Sequence, residues 1–277
     1  MSYKRILTIQ DISCVGQCSL TVALPILSAS GNETCILPSA VLSTHTAGFS
    51  GYTFRDLTED MPDISKHWSK ENITFDAIYT GYLGSIRQIG FVRDIFKAHL
   101  AKKGITVVDP AMADNGKLYP GFDAAYAEEM KKLACEADIL VPNITEACFL
   151  TGVEYREEYD SAYIDLLCRK MTEAGAKTIV LTGVGYTKQT TGVVVCIDGV
   201  STYYEHKKIE KGCHGTGDVY ASAFVGALMR GKNEHEAAKI AADYTVLCIE
   251  KTQGDPNHWY GVKFELALPE YIEMLSR

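Results

Sequence analysis

From residue 75 to residue 183 the chain alternates short, wholly apolar runs with longer segments whose apolar residues recur at helical spacing. No other feature narrows the fold as far. FDAIYT, ITVVDP, ADILVPN and KTIVLTG read as strands, and the residues between them read as helices. Strands apolar on both faces belong to a sheet covered on both sides, and β–α alternation makes such a sheet mostly parallel. The expected fold is α/β: a three-layer α/β/α sandwich around a mostly parallel central sheet.

The flanking segments extend this reading. RILTIQ (5–10) is strand-like, SLTVALPILSASG (19–31) is helical to Gly31, and ETCILPSAVLS (33–43) is extended. Pro25 is expected to kink or break its helix. The helix of SIRQIGFVRDIFKAHLAKKG is expected to run from 85 to Gly104. Near 190 the pattern changes to two strands joined at Asp198-Gly199, a pair that favours tight hairpins. Two helices follow, VYASAFVGALMRG and EHEAAKIAADYTVLCIEK. MADNGKLYPG (112–121) is a long polar loop of the kind that covers active sites.

With 277 residues and no linker or repeat, residues 1–277 are expected to form one domain. The net charge of -8 argues against broad attraction to nucleic acid or anionic membrane, so phosphate binding must be local. No apolar run is long enough for a bilayer span, and the apolar N-terminal stretch is too short for a secretory signal. A cytoplasmic location is expected. The nine cysteines are odd in number and lack C-x-x-C spacing, which suggests free thiols in a reducing compartment and no zinc site.

Ligands of open α/β sheets bind beyond the carboxyl ends of the strands. Those ends carry Gln10-Asp11, Gly81-Tyr82, Asp109-Pro110, Asn143 to Glu146 and Thr182-Gly183, which together imply one crevice. GTGD, in GCHGTGDVYASAF, places Gly215, Thr216, Gly217 and Asp218 where a helix begins. Bare amides there can hold an anion, with Asp218 as a general base; the plainer reading of Asp218 is a carboxylate complementing the helix dipole. Asn143 and Glu146 stand three apart at another helix start. They suit a capping box, or a magnesium site with Asp109. His45 and Thr46 precede an aromatic, glycine-rich segment, although a lone histidine such as His45 is more often structural than part of a site. Tyr82 fits the core as well as a pocket. Cys213 and His214 lack a third orienting group, so a covalent nucleophile is not expected.

LTIQD, STHT (43–46), GYLGS (81–85), VDPAM (108–112), VPNITEA (141–147), LTG (181–183) and GTGD (215–218), in this order, resemble the ribokinase-like superfamily and within it the pyridoxal (vitamin B6) kinases. The resemblance implies ATP-dependent phosphorylation of the 5′-hydroxymethyl group of pyridoxal, pyridoxamine or pyridoxine, with Asp218 as base and the amides of Gly215, Thr216 and Gly217 as anion hole. It implies that Asp109, Asn143 and Glu146 handle Mg²⁺ and nucleotide phosphates, with Asp109 and Glu146 on the metal. Thr182 and Gly183 would contact phosphate, Tyr119 would lie in the closing segment, and Asp11, His45, Thr46 and Tyr82 would face the vitamer. It also implies a homodimer and a monovalent cation such as K⁺. Asp11 departs from the serine common in pyridoxal kinases, and ISCVGQC and His214 are nearer the hydroxymethylpyrimidine kinases, which usually carry cysteine at the position of Asp218. A kinase of that second type, or a non-catalytic B6- or nucleotide-binding regulator, is the alternative.

Overall fold

The structure, a computed structural model, describes residues 3–209 and 213–277. Its first part holds β1 (Arg5–Ser13), α1 (Leu20–Ala29), β2 (Glu33–Leu42), β3 (Phe54–Asp56), α2 (Asp60–Lys70), β4 (Phe75–Thr80), α3 (Ile86–His99) and β5 (Leu100–Val108). The middle holds β6 (Ala113–Asp114), β7 (Lys117–Leu118), α4 (Ala124–Glu136), β8 (Ile139–Leu140), α5 (Ile144–Thr151), α6 (Ser161–Glu173) and β9 (Thr178–Val184). The last part holds β10 (Thr190–Ile197), β11 (Val200–Lys207), α7 (Thr216–Met229), α8 (Glu234–Thr252) and α9 (Leu268–Ser276).

Nine strands form one sheet in the order β11-β10-β9-β8-β5-β4-β1-β2-β3. The six strands from β9 to β2 pair in parallel, and β10, β11 and β3 add antiparallel edges. Helices α2 to α6 cover one face, and α1, α7, α8 and α9 cover the other. This is the expected three-layer sandwich. The strands supply both cores because successive residues point to opposite faces. Ile6, Ala77, Tyr79 and Val107 enter the α7 side, while Leu7, Ile78 and Val108 enter the α3 side. Each such fully buried aliphatic side chain contributes roughly 1.5–3 kcal/mol.

From β1 the chain passes to β2 on one side and later to β4 on the other. The β1–β4 boundary is therefore the topological switch point, where a crevice opens beyond the strand ends.

Three expectations change. The helix expected to reach Gly104 ends at His99, and Leu100 already pairs with Phe75 in the sheet. Leu, Ala and Lys favour helix locally, but the pairing of LAKKG with β4 overrides that preference. The loop 112–121 contains a small hairpin, β6–β7, turned at Asn115 (φ 50°) and Gly116 (φ 75°). Pro25 lies inside α1, which runs unbroken past it. The Asp198-Gly199 hairpin forms as expected. None of the nine cysteines forms a disulfide among the described residues, and Cys148, Cys168, Cys196 and Cys248 are buried. Among the described residues no helix is long and apolar enough to cross a membrane.

Candidate active site

Parallel pairing brings the polar strand ends to one edge of the sheet. Asp11 sits in a β-bulge, where the β1–β2 register shifts between Gln10 and Ile12. A bulge re-aims its side chain, and Asp11 is buried with Ser13 Oγ donating to its Oδ2 at 3.0 Å. On β4, the Gly81 N–H donates to Ile9 O at 3.3 Å. A Cβ on Gly81 would lie 2.6 Å from Gln10 Oε1, so a larger residue there would have to displace the buried Gln10 side chain. Asp109 follows β5, its N–H donating to Thr80 O at 2.9 Å.

The GTGD segment packs against the turn after β1. Gly215 is the N-cap of α7 with φ 75°, and a Cβ there would stand 1.9 Å from Gln17 O. Both the backbone angle and the contact require glycine. Gly212 lies outside the described residues. No side chain caps α7. Among the described residues no side-chain acceptor closes this helix start, and the space beside Gly217 is open. This is the geometry that the anion-hole reading needs.

Asp218 occupies the third helical position and is partly buried. Its Oδ2 accepts the Ser19 N–H at 2.9 Å. Burial pushes its carboxyl up to about 7, against the pull of that hydrogen bond and with a further push from Asp11. Ser19 itself has φ 55° and ψ -131°, a combination for which only glycine is unstrained, at a cost of order 1–3 kcal/mol.

A second helix start faces the same crevice, and its polar groups are all paired. Asn143 Oδ1 accepts the Glu146 N–H at 2.9 Å and Glu146 Oε2 accepts the Asn143 N–H at 2.9 Å, a complete capping box. Asn143 and Glu146 also tie down the β6–β7 hairpin. Asn143 Nδ2 donates to Ala113 O at 2.8 Å, Glu146 Oε1 accepts the Met112 N–H at 3.0 Å, and Thr145 Oγ1 accepts the Gly116 N–H at 3.1 Å. Burial raises Glu146 to about 7 despite these donors. Asp109 is raised well above its ordinary value by burial, then by Glu146 and Asp218. Burial and the charges of Glu146 and Asp109 likewise push the Tyr119 phenol up.

Four carboxylates thus crowd the crevice. Among the described residues none of Asp11, Asp109, Glu146 or Asp218 is paired with a lysine or arginine. Nor are three His, Cys, Asp or Glu side chains arranged among them as a ready metal cage. Asp109 Oδ1 accepts the Ala111 N–H at 3.1 Å, and its Oδ2 takes no hydrogen bond among the described residues. This donor set, buried and short of positive charge, suits a divalent cation that keeps much of its water.

The remaining expected residues divide. Tyr82 lines the crevice: its ring stacks on Phe122 at 5.5 Å, and burial and the Asp11 charge raise its phenol to about 12. His45 is buried with both nitrogens occupied. Nε2 lies 2.6 Å from Tyr260 O and Nδ1 accepts the Ala47 N–H at 3.2 Å, which fixes the neutral Nε2–H tautomer. Burial lowers its pKa accordingly. Its ring packs 5.7 Å from that of His214, so it joins the 45–49 loop to the GTGD loop. Thr46 is exposed. Thr182 donates twice to Pro142 O, at 2.9 Å from N and 3.2 Å from Oγ1, and holds β9 to the α5 entrance. Gly183, with φ 74°, leaves open space beside its backbone.

Sequence reasoning passed over Ser19, Gln17 and the segment 254–265. His258 Nε2 lies 2.9 Å from Gln17 Oε1, and Gln17 Nε2 donates to Glu265 Oε1 at 3.2 Å. Partners separated by more than 240 residues leave no local pattern.

The family model for phosphomethylpyrimidine kinase matches residues 51–262. A Bacteroides thetaiotaomicron VPI-5482 protein, named as a candidate phosphomethylpyrimidine kinase and solved in a form with pyridoxal, is 34% identical, with a TM-score of 0.91 over 98% of this chain and 96% of its own. Pyridoxal kinase from Lactobacillus plantarum is 29% identical, with a TM-score of 0.91 over 99% of this chain and 98% of its own. A pyridoxine kinase of Bacillus subtilis (strain 168) is 28% identical over 189 residues, 66% of each chain.

Proposed function

The chain belongs to the phosphomethylpyrimidine kinase family of small-molecule kinases, and from that premise we propose that it transfers the γ-phosphoryl group of ATP to the 5′-hydroxymethyl group of a B6 vitamer. The observation that carries this reading is the pairing at the start of α7: a glycine-led helix start with no side-chain cap beside a carboxyl group that burial pushes up to about 7. The pyridoxal reported in the homologue at 34% identity supports the choice of vitamer.

In this mechanism Asp218 takes the proton of the substrate alcohol. The alcohol oxygen forms the new O–P bond as the bond from phosphorus to the β-phosphate oxygen breaks, and ADP leaves. The amides of Gly215, Thr216 and Gly217 stabilise the charge on the transferring group. Removing a single preorganised donor of this kind typically costs 10²–10³ in rate. Asp109 would hold Mg²⁺ directly. Glu146, whose two oxygens already accept main-chain N–H groups, would reach it through water. Bound there, Mg²⁺ neutralises phosphate charge. Thr182 and Gly183 flank the phosphates and Tyr119 covers them. Asp11 and Tyr82 face the ring, and Asp11 suits a cationic ring nitrogen or the ammonium of pyridoxamine.

The family description favours a second reading, a hydroxymethylpyrimidine kinase, because that substrate presents the same primary alcohol on an aromatic nitrogen ring. An ADP-release assay with pyridoxal, pyridoxamine, pyridoxine and the aminopyrimidine alcohol separates the two. Turnover of a vitamer at higher kcat/KM than the aminopyrimidine is expected. The reverse order transfers the chain to the second reading, and binding of both ligands with no ADP makes it a regulator.

A further inference from the structure

Ser19 stands at a helix start and behaves unlike an ordinary N-cap serine. Such a residue normally turns its hydroxyl back onto the first-turn amides, and here no side-chain cap bond forms. Its carbonyl accepts the Val22 and Ala23 N–H groups at 3.0 and 2.9 Å, so the helix is still closed by main chain. Its own N–H is turned away from the helix onto Asp218 Oδ2, and among the described residues Asp218 Oδ1 remains without a donor. Its hydroxyl faces the buried Asp11 carboxyl and favours its charged form, as does Ser13 Oγ, which donates to Asp11 Oδ2 at 3.0 Å.

The backbone strain of Ser19 is held in place from several sides. Ile12 bridges to Ser19, and Thr21 Oγ1 donates to Gly16 O at 3.1 Å and to Cys18 O at 2.8 Å. Glycine would remove the strain and keep the N–H; the one functional group it would remove is the hydroxyl. We propose that Ser19 is a positioning residue for both halves of the reaction, its main-chain N–H aiming Asp218 at the substrate alcohol and its hydroxyl aiming Asp11 at the substrate ring. This rests on the vitamer-kinase reading above.

The two contacts make separable predictions, because one serves the chemical step and the other serves ring binding. Ser19→Gly and Ser19→Ala both lose the hydroxyl and keep the N–H. Each is expected to raise the vitamer KM by about 5–10-fold with kcat within about 3-fold of wild type. Ser19→Gly should melt no lower than wild type, which excludes damage to the fold as the cause. Replacing the residue-19 amide by an ester removes the N–H and weakens the Cys18 carbonyl that Thr21 Oγ1 donates to; kcat is expected to fall about tenfold or more at little-changed KM, and Thr21→Val, which loses only the Thr21 hydroxyl, should leave kcat near wild type. A wild-type KM in both substitutions, or an unchanged kcat in the ester, overturns the proposal while a wild-type enzyme that releases ADP keeps the kinase reading intact. Wild-type protein that releases ADP with no alcohol in the panel defeats the kinase reading first and this proposal with it.

Discussion

Two helix starts, those of α5 and α7, open onto the same crevice, and each carries an acidic residue at its third position, Glu146 and Asp218. At α5 the preceding Asn143 closes a capping box, and Glu146 folds back onto its own helix. At α7 the preceding residue is Gly215, which has no side chain to cap with, and Asp218 reaches across to Ser19. The residue before the helix thus decides whether the acid is spent on local structure or left for chemistry. A sealed start stiffens the crevice wall, and an unsealed start keeps donors available for a transferred phosphoryl group.

The largest expected effect comes from the unsealed side. Asp218→Asn should lower turnover by at least about 10²-fold, the scale of a lost general base, with vitamer binding largely kept. In the wild type, kcat/KM should fall as pH drops through about 7, where Asp218 gains its proton. Stability moves the opposite way. The folded-state pKa of Asp218 lies above its ordinary value, so its contribution is fully present at acid pH, below that ordinary value, and is lost as pH rises through about 7. Asp218→Asn should therefore melt higher than wild type at pH 8, by on the order of 1–2 kcal/mol, and the gap should close progressively as pH falls, vanishing only below the ordinary carboxylate value of 3.8. Equal melting curves at pH 8 would show that burial does not burden this carboxylate.

Next in size is Gly215→Ala, which places a methyl group against Gln17 O and a side chain at φ 75°. A loss of about 2–4 kcal/mol is expected, a drop of several degrees in melting temperature, together with a large fall in kcat. Wild-type melting would mean that the two loops do not interlock. The smallest effect sharpens the sealed side. Asn143→Ala and Asn233→Ala each break a capping box and should cost about 1 kcal/mol of stability. Only Asn143→Ala, which also frees the Ala113 tether, should raise the KM for ATP. Asn233 lies at the far end of α7 and serves as the matched control, so an identical ATP KM in the two variants would remove the hairpin from the nucleotide site.

Much of this was readable from the chain. The strands from β4 to β9 are apolar on both faces, and their polar ends fell at the crevice because parallel pairing aligns carboxyl ends. Asp218 and Gly215 were visible as a pattern of glycines before a helix. The Asn115-Gly116 hairpin carried a signal that the polarity of its neighbours concealed. The role of His45 as a neutral brace was not decidable, because its partners are a main-chain carbonyl and amide. Ser19 looked like any serine before a helix. Its backbone angles and its contact with a residue 199 positions later exist only in three dimensions.

The clasp of His258 and Glu265 on Gln17 has a consequence for how the protein comes into being. During synthesis the first strand and its turn emerge more than 240 residues before the groups that hold that turn. The pocket floor is therefore drafted long before it is fastened, and a chain cut short before residue 258 would carry Asp11, Asp109 and Asp218 and still lack both contacts on Gln17.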